Sequence, residues 1–313
     1  MKISIITASY NCENTIQETI ESVLNQTYKD WKLIIVDDGS KDNSVNIIKS
    51  YCEKDERIKL YIHKNHKNLG LKKTIQYALT KVNSDWVHFL ECDDILKSDA
   101  IEKKIKIIEK HPNVRLIFSE VELFGGEKTI ETYSNYMNAR AELLAAENFP
   151  SKIMQKSYSV NVIPSFSCVM CKKDCLLNCD FNSPIDAYLD WYLWSQMANE
   201  NMYYIEEPLT LWRVSANSYA QIFKERYKKY YRQKYLLAIK LNIEQKSQLY
   251  KKFEFFKYDL KYFLNKIFFL GNSYDKSHKI ITIMGIKIKV KRKNLCYNFC
   301  GGMLCRLNLK DKR

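Results

Sequence analysis

Four apolar runs alternate with three amphipathic stretches in the first ninety residues, and this alternation constrains the fold more than any other feature. Lys2–Ala8, Trp31–Val36, Arg57–His63 and Asp85–Leu90 read as strands. Between them, Ile16, Ile20, Val23 and Leu24 fall at helical spacing, as do Val45, Ile47, Ile48 and Tyr51, and then Ile75, Ala78 and Leu79 within Leu71–Val82. Strands separated by single helices predict a parallel α/β sheet. Ligands of such sheets collect beyond the carboxyl ends of the strands. Those ends hold Ser9-Tyr10-Asn11, Asp37-Asp38, Lys64–Gly70 and Glu91–Asp94.

The last of these is the most demanding chemically. Glu91, Asp93 and Asp94 follow the buried run Trp86–Leu90 directly. Three carboxylates against a hydrophobic strand end repel one another unless positive charge or hydrogen-bond donors meet them. Clustered oxygen ligands suit Mg²⁺ or Mn²⁺, ions that commonly bridge carboxylates to substrate phosphates. The competing reading is a solvated acidic turn in which Asp94 or Ser98 caps the helix that follows.

Further along, a helix is predicted from Ser98 to Lys110 and a strand from Val114 to Leu123. The polar stretch 127–165 reads as loops and short helices. A strand over Ser165–Cys171, an aromatic-rich helix over Asp186–Glu200 and two strands flanking Pro208 (Tyr203–Glu207 and Leu209–Val214) come next. From Ser218 to Leu270 the pattern is that of a Tyr- and Lys-rich helix. Lys279–Lys293 then alternates, with Ile286, Ile288 and Val290 against Lys287, Lys289 and Lys291. This divides the chain into 1–218, with a nucleotide-binding half (1–125) and an acceptor half (126–218), and a basic extension over 219–313.

Charge follows the same division. Residues 221–313 hold 24 Lys+Arg against 6 Asp+Glu, within a chain of net charge +14. A basic tail on a mildly acidic body points to a polyanionic surface, nucleic acid or anionic lipid. No recognised nucleic-acid module accompanies the basic residues. Tyrosines at 227, 230, 231, 235, 250, 258 and 262, with the alternating Ile/Lys run, fit a membrane interface better. Met1-Lys2 leads straight into a strand, and no window approaches ~18 apolar residues. A cytoplasmic protein lying peripherally on the inner membrane is the expectation. Of the ten cysteines, Cys168, Cys171, Cys175 and Cys179 lack the spacing of paired zinc knuckles and are expected to be buried, reduced core residues.

No Gly-x-Gly-x-x-Gly follows the first strand and no Gly-Lys-Ser/Thr occurs, which argues against a dehydrogenase or a phosphate-gripping Walker loop. A sheet of this kind without glycine loops would hold a diphosphate through a cation. Ile5-Ile-Thr-Ala-Ser-Tyr-Asn11, Thr19-Ile-Glu-Ser-Val-Leu-Asn-Gln-Thr-Tyr28, Leu33-Ile-Ile-Val-Asp-Asp-Gly-Ser-Lys-Asp42, Asn68-Leu-Gly70 and the acid cluster resemble, in order and spacing, the family 2 glycosyltransferases of the GT-A fold. The resemblance is strong over 1–125, thinner over 160–220 and nearly absent beyond.

It implies an α/β GT-A architecture with a mixed, mostly parallel sheet, here carrying a basic helical C-terminal extension. The implied reaction is inverting transfer of a sugar, a hexose or an N-acetylhexosamine, from a nucleotide-sugar, usually a UDP-sugar, to a hydroxyl of a glycan or lipid-linked acceptor in bacterial surface-polysaccharide or lipooligosaccharide assembly. Ala8, Tyr10 and Asp38 match base- and ribose-binding positions, Asp37 is the neighbour of Asp38 in the same motif, and with Asn68 these are the nucleotide-sugar residues the resemblance implies. Glu91-Cys92-Asp93 stands where the family has Asp-x-Asp, so Glu91 and Cys92 would meet the nucleotide-sugar, with Asp93, Glu91 and Asp94 at Mg²⁺ or Mn²⁺. Leu189-Asp-Trp-Tyr-Leu-Trp194 is similar to the family's Glu-Asp-x-x-Leu-Trp helix start, which assigns Asp190 as general base, with Asp186 one turn earlier as its rival. Leu211–Ser218 resembles the Tyr-Arg-x-His-x-x-Ser segment; Arg213 would pair with a phosphate, and Ser215 replaces the histidine. A nucleotidyltransferase, or an inactive protein that binds sugar nucleotides or nucleic acid, is the alternative.

Overall fold

The structure is a computed structural model and describes residues 1–146, 161–182, 189–197, 200–215, 268–272, 278–283 and 286–291. Two compact units divide the chain, Met1–Asn242 and Ile243–Arg313.

The first unit opens with strict β/α alternation: β1 (Ile3–Ser9), α1 (Ile16–Leu24), β2 (Trp31–Asp37), α2 (Ser44–Lys54), β3 (Ile58–Ile62), α3 (Leu71–Leu79) and β4 (Trp86–Phe89). There follow β5 (Ile95–Leu96), α4 (Ala100–Lys110), β6 (Leu116–Gly125), α5 (Glu127–Ala146), β7 (Val169–Lys172), α6 (Lys173–Leu177), α7 (Leu189–Gln196) and β8 (Met202–Val214). Among the described residues these strands form one eight-stranded sheet in the order β3-β2-β1-β4-β7-β6-β8-β5. The expected mixed sheet is present: β3, β2, β1 and β4 run parallel, and β7 joins β4 and β6 antiparallel.

Successive strand residues feed opposite faces, so the sheet builds two cores. On one face Ile6, Ile34, Val36, Val87 and Phe89 pack with Ile75, Ala78 and Leu79 of α3 and with Leu193 and Trp194 of α7. On the other, Ile3, Ile5, Leu33, Ile35 and Trp86 pack with Ile16 and Ile20 of α1, Ile48 of α2 and Ile101 of α4. Strands buried on both faces read as unbroken apolar runs, which is why their sequence signal is strong. Cys168, Cys171 and Cys175 are buried free thiols and Cys179 is half-buried, as expected.

Three expectations change. The first part of the polar stretch expected as loops and short helices, Glu127–Ala146, is one helix of 20 residues, α5, while 147–160 lie outside the described residues. Its buried anchor is polar: Arg140 is fully buried, donates to both Glu120 oxygens (2.7 and 2.5 Å), and makes helix periodicity in apolar residues a poor guide. The two strands expected around Pro208 are one continuous strand, β8, whose register against β6 slips on both sides of Glu120, opposite Pro208. Proline gives no N–H to the ladder, so the pairing bulges there and resumes. Finally, Phe268–Leu270, expected to end a helix, belong to a strand.

The described part of the second unit is a three-stranded antiparallel sheet in the order β11-β10-β9, from β9 (Phe268–Asn272), β10 (His278–Ile283) and β11 (Ile286–Lys291). The Ile/Lys alternation is thus a strand, with Ile288 opposite Ile281 and Lys287 opposite Thr282. The helical extension expected over 218–267 and the candidate base Asp186 lie outside the described residues. Among the described residues no helix is long and apolar enough to cross a membrane.

Candidate functional site

The carboxyl ends of β1, β2 and β4 lie side by side because these strands are neighbours, with Ser9 opposite Asp37 and Ile6 opposite Phe89. Two acidic groups result, one after β2 and one after β4.

After β2, the chain turns through Asp37-Asp38-Gly39-Ser40. Asp37 is fully buried. Its Oδ1 accepts the Gly39 and Ser40 amides (both 3.0 Å) and lies 3.0 Å from His66 Nε2, while its Oδ2 accepts the Ser40 hydroxyl at 2.5 Å. Asp38 accepts the Leu69 amide at 2.6 Å and the Gly70 amide at 2.9 Å, with His63 Nε2 3.6 Å away. These bonds tie the loop carrying Asn68, itself exposed, onto the β2 turn. Gly39, at φ +82°, permits the approach: a Cβ there would stand 2.8 Å from the Asn68 amide nitrogen. Ala8 is half-buried at the end of β1, opposite Val36, and Tyr10 is 48% exposed just beyond it.

After β4, the acid loop is stitched to the start of α1. Thr15 donates its hydroxyl to the Cys92 carbonyl (3.0 Å) and Thr19 to the Asp94 carbonyl (2.9 Å). The neighbouring Cys12 thiol, and next burial, hold the Cys92 thiol well above its ordinary range. Asp94 is fully buried and fully engaged: Oδ2 accepts from Ser167 Oγ (2.5 Å) and Oδ1 from the Arg213 amide (2.8 Å). Burial, and next the charge of Asp93, push its pKa up to about 8. Glu91 is held well above the carboxylate range, by burial first and then by Asp94 and Asp93; the Ser165 hydroxyl, donating at 2.9 Å, opposes this. Asp93 is raised by burial, against the pull of Arg213. Negative charge here exceeds what the surrounding donors neutralise.

Arg213 sits beside this cluster but is already engaged. Its Nε donates to the Asp93 carbonyl at 2.8 Å, its terminal nitrogen pairs with Glu18 in the first turn of α1, and its guanidinium covers the Phe124 ring at 4.3 Å. Asp190 occupies the first turn of α7, half-buried, and accepts from Asn161 Nδ2 at 3.0 Å. Burial pushes its pKa up to about 7, a proton affinity suited to a general base near neutral pH. Its charge is the last of the causes that raise Glu91.

The residues named from sequence after β4 therefore assemble with Asp190 and Arg213. They are not a three-carboxylate cage: among the described residues no group of three or more His, Cys, Asp or Glu side chains is set to hold a metal ion. Asp94 is consumed by Ser167 and the Arg213 amide. Glu91 and Asp93 remain, and two carboxylates with unneutralised charge fit a hard divalent ion that takes its other ligands from phosphate oxygens and water. Sequence reasoning missed the partners that hold these acids, namely Ser165, Ser167, Asn161, Thr15, Thr19 and Glu18. The demand for donors around buried carboxylates was the available signal, but not where in the chain they would lie.

The glycosyl transferase family 2 profile matches residues 4–176, more than half of the chain. Over 117 residues the chain is 36% identical to "Putative glycosyltransferase EpsE" of Bacillus subtilis (strain 168), covering 37% of this chain and 41% of that protein. An uncharacterized glycosyltransferase of Methanocaldococcus jannaschii is 28% identical over 235 residues, covering 73% and 77%. The chain spans about two fifths of the length of the first relatives it matches, 41% and 42%. Among solved structures, S. aureus TarS 1-349 in complex with UDP-GlcNAc superposes with a TM-score of 0.57 at 17% identity, over 76% of this chain and 66% of that one. The mannosyltransferase PcManGT of Pyrobaculum calidifontis, in complex with GDP-Man and Mn²⁺, gives 0.58 at 15% identity, over 76% and 64%. Those structures share the fold, and the profile match decides the family: this chain belongs to glycosyl transferase family 2.

Proposed function

We propose that the protein transfers a hexosyl or N-acetylhexosaminyl group from a nucleotide-sugar, a UDP-sugar, to a hydroxyl of a glycan or lipid-linked acceptor in bacterial surface-glycan assembly, with inversion at the anomeric carbon. The observation that carries this reading is Asp190, a half-buried carboxylate raised to about 7 by burial and close enough to the acid cluster to raise Glu91. A base with that proton affinity, set beside a site with spare negative charge, is what displacement by an alcohol from a diphosphate leaving group requires.

Asp190 takes the acceptor hydroxyl proton as its oxygen attacks the anomeric carbon from the face opposite the diphosphate. The carbon–oxygen bond to the diphosphate breaks and the nucleoside diphosphate leaves. Tyr10, Ala8 and Asp38 orient the nucleoside, with Asp37 and Asn68 shaping the turn and loop around it. Glu91 and Asp93 would hold Mg²⁺ or Mn²⁺, which when bound offsets charge on the diphosphate oxygens. Arg213 meets the leaving diphosphate after exchanging its contact with Glu18. The TarS complexes with UDP and UDP-GlcNAc and the PcManGT complex with GDP-Man and Mn²⁺ support the choice of donor class and cation.

Release of nucleoside diphosphate is the direct test. Incubation with common nucleotide-sugars, acceptor extract and Mg²⁺ or Mn²⁺ is expected to release UDP. Release of pyrophosphate would make the protein a nucleotidyltransferase, and turnover undiminished in EDTA would remove the cation.

The basic tail completes the proposal. Strand β11 alternates Ile and Lys, and alternate residues of a strand lie on opposite faces. Each Lys or Arg near an anionic leaflet adds about 1 kcal/mol of attraction. The full-length protein is therefore expected to sediment with anionic liposomes at low salt and to be released by high salt, as a peripheral protein of the inner cytoplasmic membrane surface. Tight binding to nucleic acid instead would overturn this assignment.

A further inference from the structure

Residues 161–168, Asn161-Val-Ile-Pro-Ser-Phe-Ser-Cys168, carry donors to both the general base and the acid cluster. At one end Asn161 Nδ2 donates to Asp190 Oδ2 at 3.0 Å. The amide orientation is fixed locally, because Asn161 Oδ1 accepts the Ile163 amide at 3.2 Å, which leaves the NH₂ end for the carboxylate. At the other end Ser165 Oγ donates to Glu91 and Ser167 Oγ to Asp94.

Two buried cations pin the segment. Arg140 of α5, fully buried, donates Nε to the Val162 carbonyl at 2.5 Å. Lys104 of α4, also fully buried, donates Nζ to the Cys168 carbonyl at 2.8 Å. Burying a Lys and an Arg against main-chain carbonyls is costly and fixes the chain on both sides of the serines. Pro164, buried between them, removes one backbone freedom more.

We propose that Asn161 is a positioning residue for Asp190, held in place by the Arg140–Val162 contact, and that it fixes the orientation of the base's carboxylate for receipt of the acceptor proton. A donor to a carboxylate also favours its charged form, so Asn161 works against the burial that raises the base. Among the described residues, the other groups acting on Asp190 are the Trp191 amide and its own, and the charge of Asp190 in turn contributes to raising Glu91.

This inference rests on Asp190 being the base, and the experiment separates the two. Steady-state kinetics of the full chain are measured for Asn161→Ala, Asp190→Asn and the double variant, with thermal melting and kcat followed from pH 5.5 to 9. Asn161→Ala is expected to lower kcat roughly tenfold, to leave the donor KM within twofold, and to shift the acid limb of the kcat profile to higher pH. Asn161→Gln, which keeps the amide, is expected to restore part of kcat. In the Asp190→Asn background Asn161→Ala should add less than twofold, because a residue acting through another has no route left.

An Asn161→Ala enzyme with unchanged kcat and acid limb, while Asp190→Asn is crippled, would overturn the positioning role alone. A fall in kcat that is equally large in the Asp190→Asn background, or that comes with a lowered melting temperature and an unmoved acid limb, would overturn it too. Full activity in Asp190→Asn would defeat the base assignment itself.

Discussion

The two acidic groups at the sheet's edge are built in opposite ways. After β2, Asp37 and Asp38 are surrounded by donors: four amides, the Ser40 hydroxyl and two histidines lie within reach of their oxygens. After β4, Glu91, Asp93 and Asp94 lie together with fewer donors; burial raises all three, and the charge of neighbouring acids raises Glu91 and Asp94 further. The first arrangement is a finished turn whose carboxylates hold a loop. The second carries charge that the protein itself leaves unbalanced, as expected of a site completed by a cation and a substrate.

The sharpest way to break this contrast is Asp93→Asn. It removes a charge from the unbalanced group without removing a main-chain contact. Transfer is expected to fall by more than a hundredfold, of the order seen on losing a charge-stabilising group, while the melting temperature holds or rises. An Asp93→Asn enzyme near the wild-type rate would show that the cluster plays no part in catalysis. Asp190→Asn comes next: turnover should drop roughly 10²–10⁴-fold with donor binding near normal, the usual contribution of a general base. In the wild type the raised proton affinity of Asp190, about 7, predicts a kcat that climbs through neutral pH and levels above it. A collapse of donor affinity in Asp190→Asn would make it a donor-site residue.

Stability should separate the two groups in the reverse sense. Asp37→Ala orphans the Gly39 and Ser40 amides in a fully buried turn, and buried unsatisfied donors cost about 1–3 kcal/mol each, so a loss of about 2–4 kcal/mol is expected by equilibrium unfolding. Asp94→Asn replaces an acid whose proton affinity, about 8, keeps it mostly protonated at neutral pH. That exchange should cost under about 1 kcal/mol, within the range of an ordinary hydrogen bond. Equal losses in the two variants would erase the distinction.

What could be read from sequence follows the same physics. The parallel strands β1 to β4 were legible because burial on both faces gives unbroken apolar runs, and the acid cluster because charge directly after such a run is costly. Helix α5 was not, since the buried Arg140, bonded to Glu120 and to the Val162 carbonyl, stands beside Met137 and Leu144 among its described contacts with the core. Nor was β8, because Pro208 reads as a break while the strand accommodates it as a bulge. Asp190 was reached only by resemblance to a helix-start motif. Its partner Asn161 lies 29 positions away, and no local pattern announces a side-chain bond across that separation.

The smallest expected effect is on the pH dependence of stability. Asp94 and Asp190, raised to about 8 and about 7, and Glu91, raised well above its ordinary value, hold protons in the native state that an unfolded chain releases near pH 4. Where the native state binds more protons, stability falls as pH rises. Below about pH 6.5 buried His88 opposes this: its pKa is depressed, so the unfolded chain takes up the extra proton there. Lys104, lowered to about 8, opposes it again above that pH. The window left is about pH 6.5 to 8, where the cation-free protein should lose stability as pH rises. Mn²⁺ or Mg²⁺ competes with the retained protons, so it should flatten the decline, more at pH 8 than at 6.5, and do so less in Asp93→Asn. Chemical denaturation at four pH values, with and without Mn²⁺, reads this directly. A profile that the ion leaves unchanged in the wild type would mean that the acids after β4 are balanced from within, like Asp37 and Asp38.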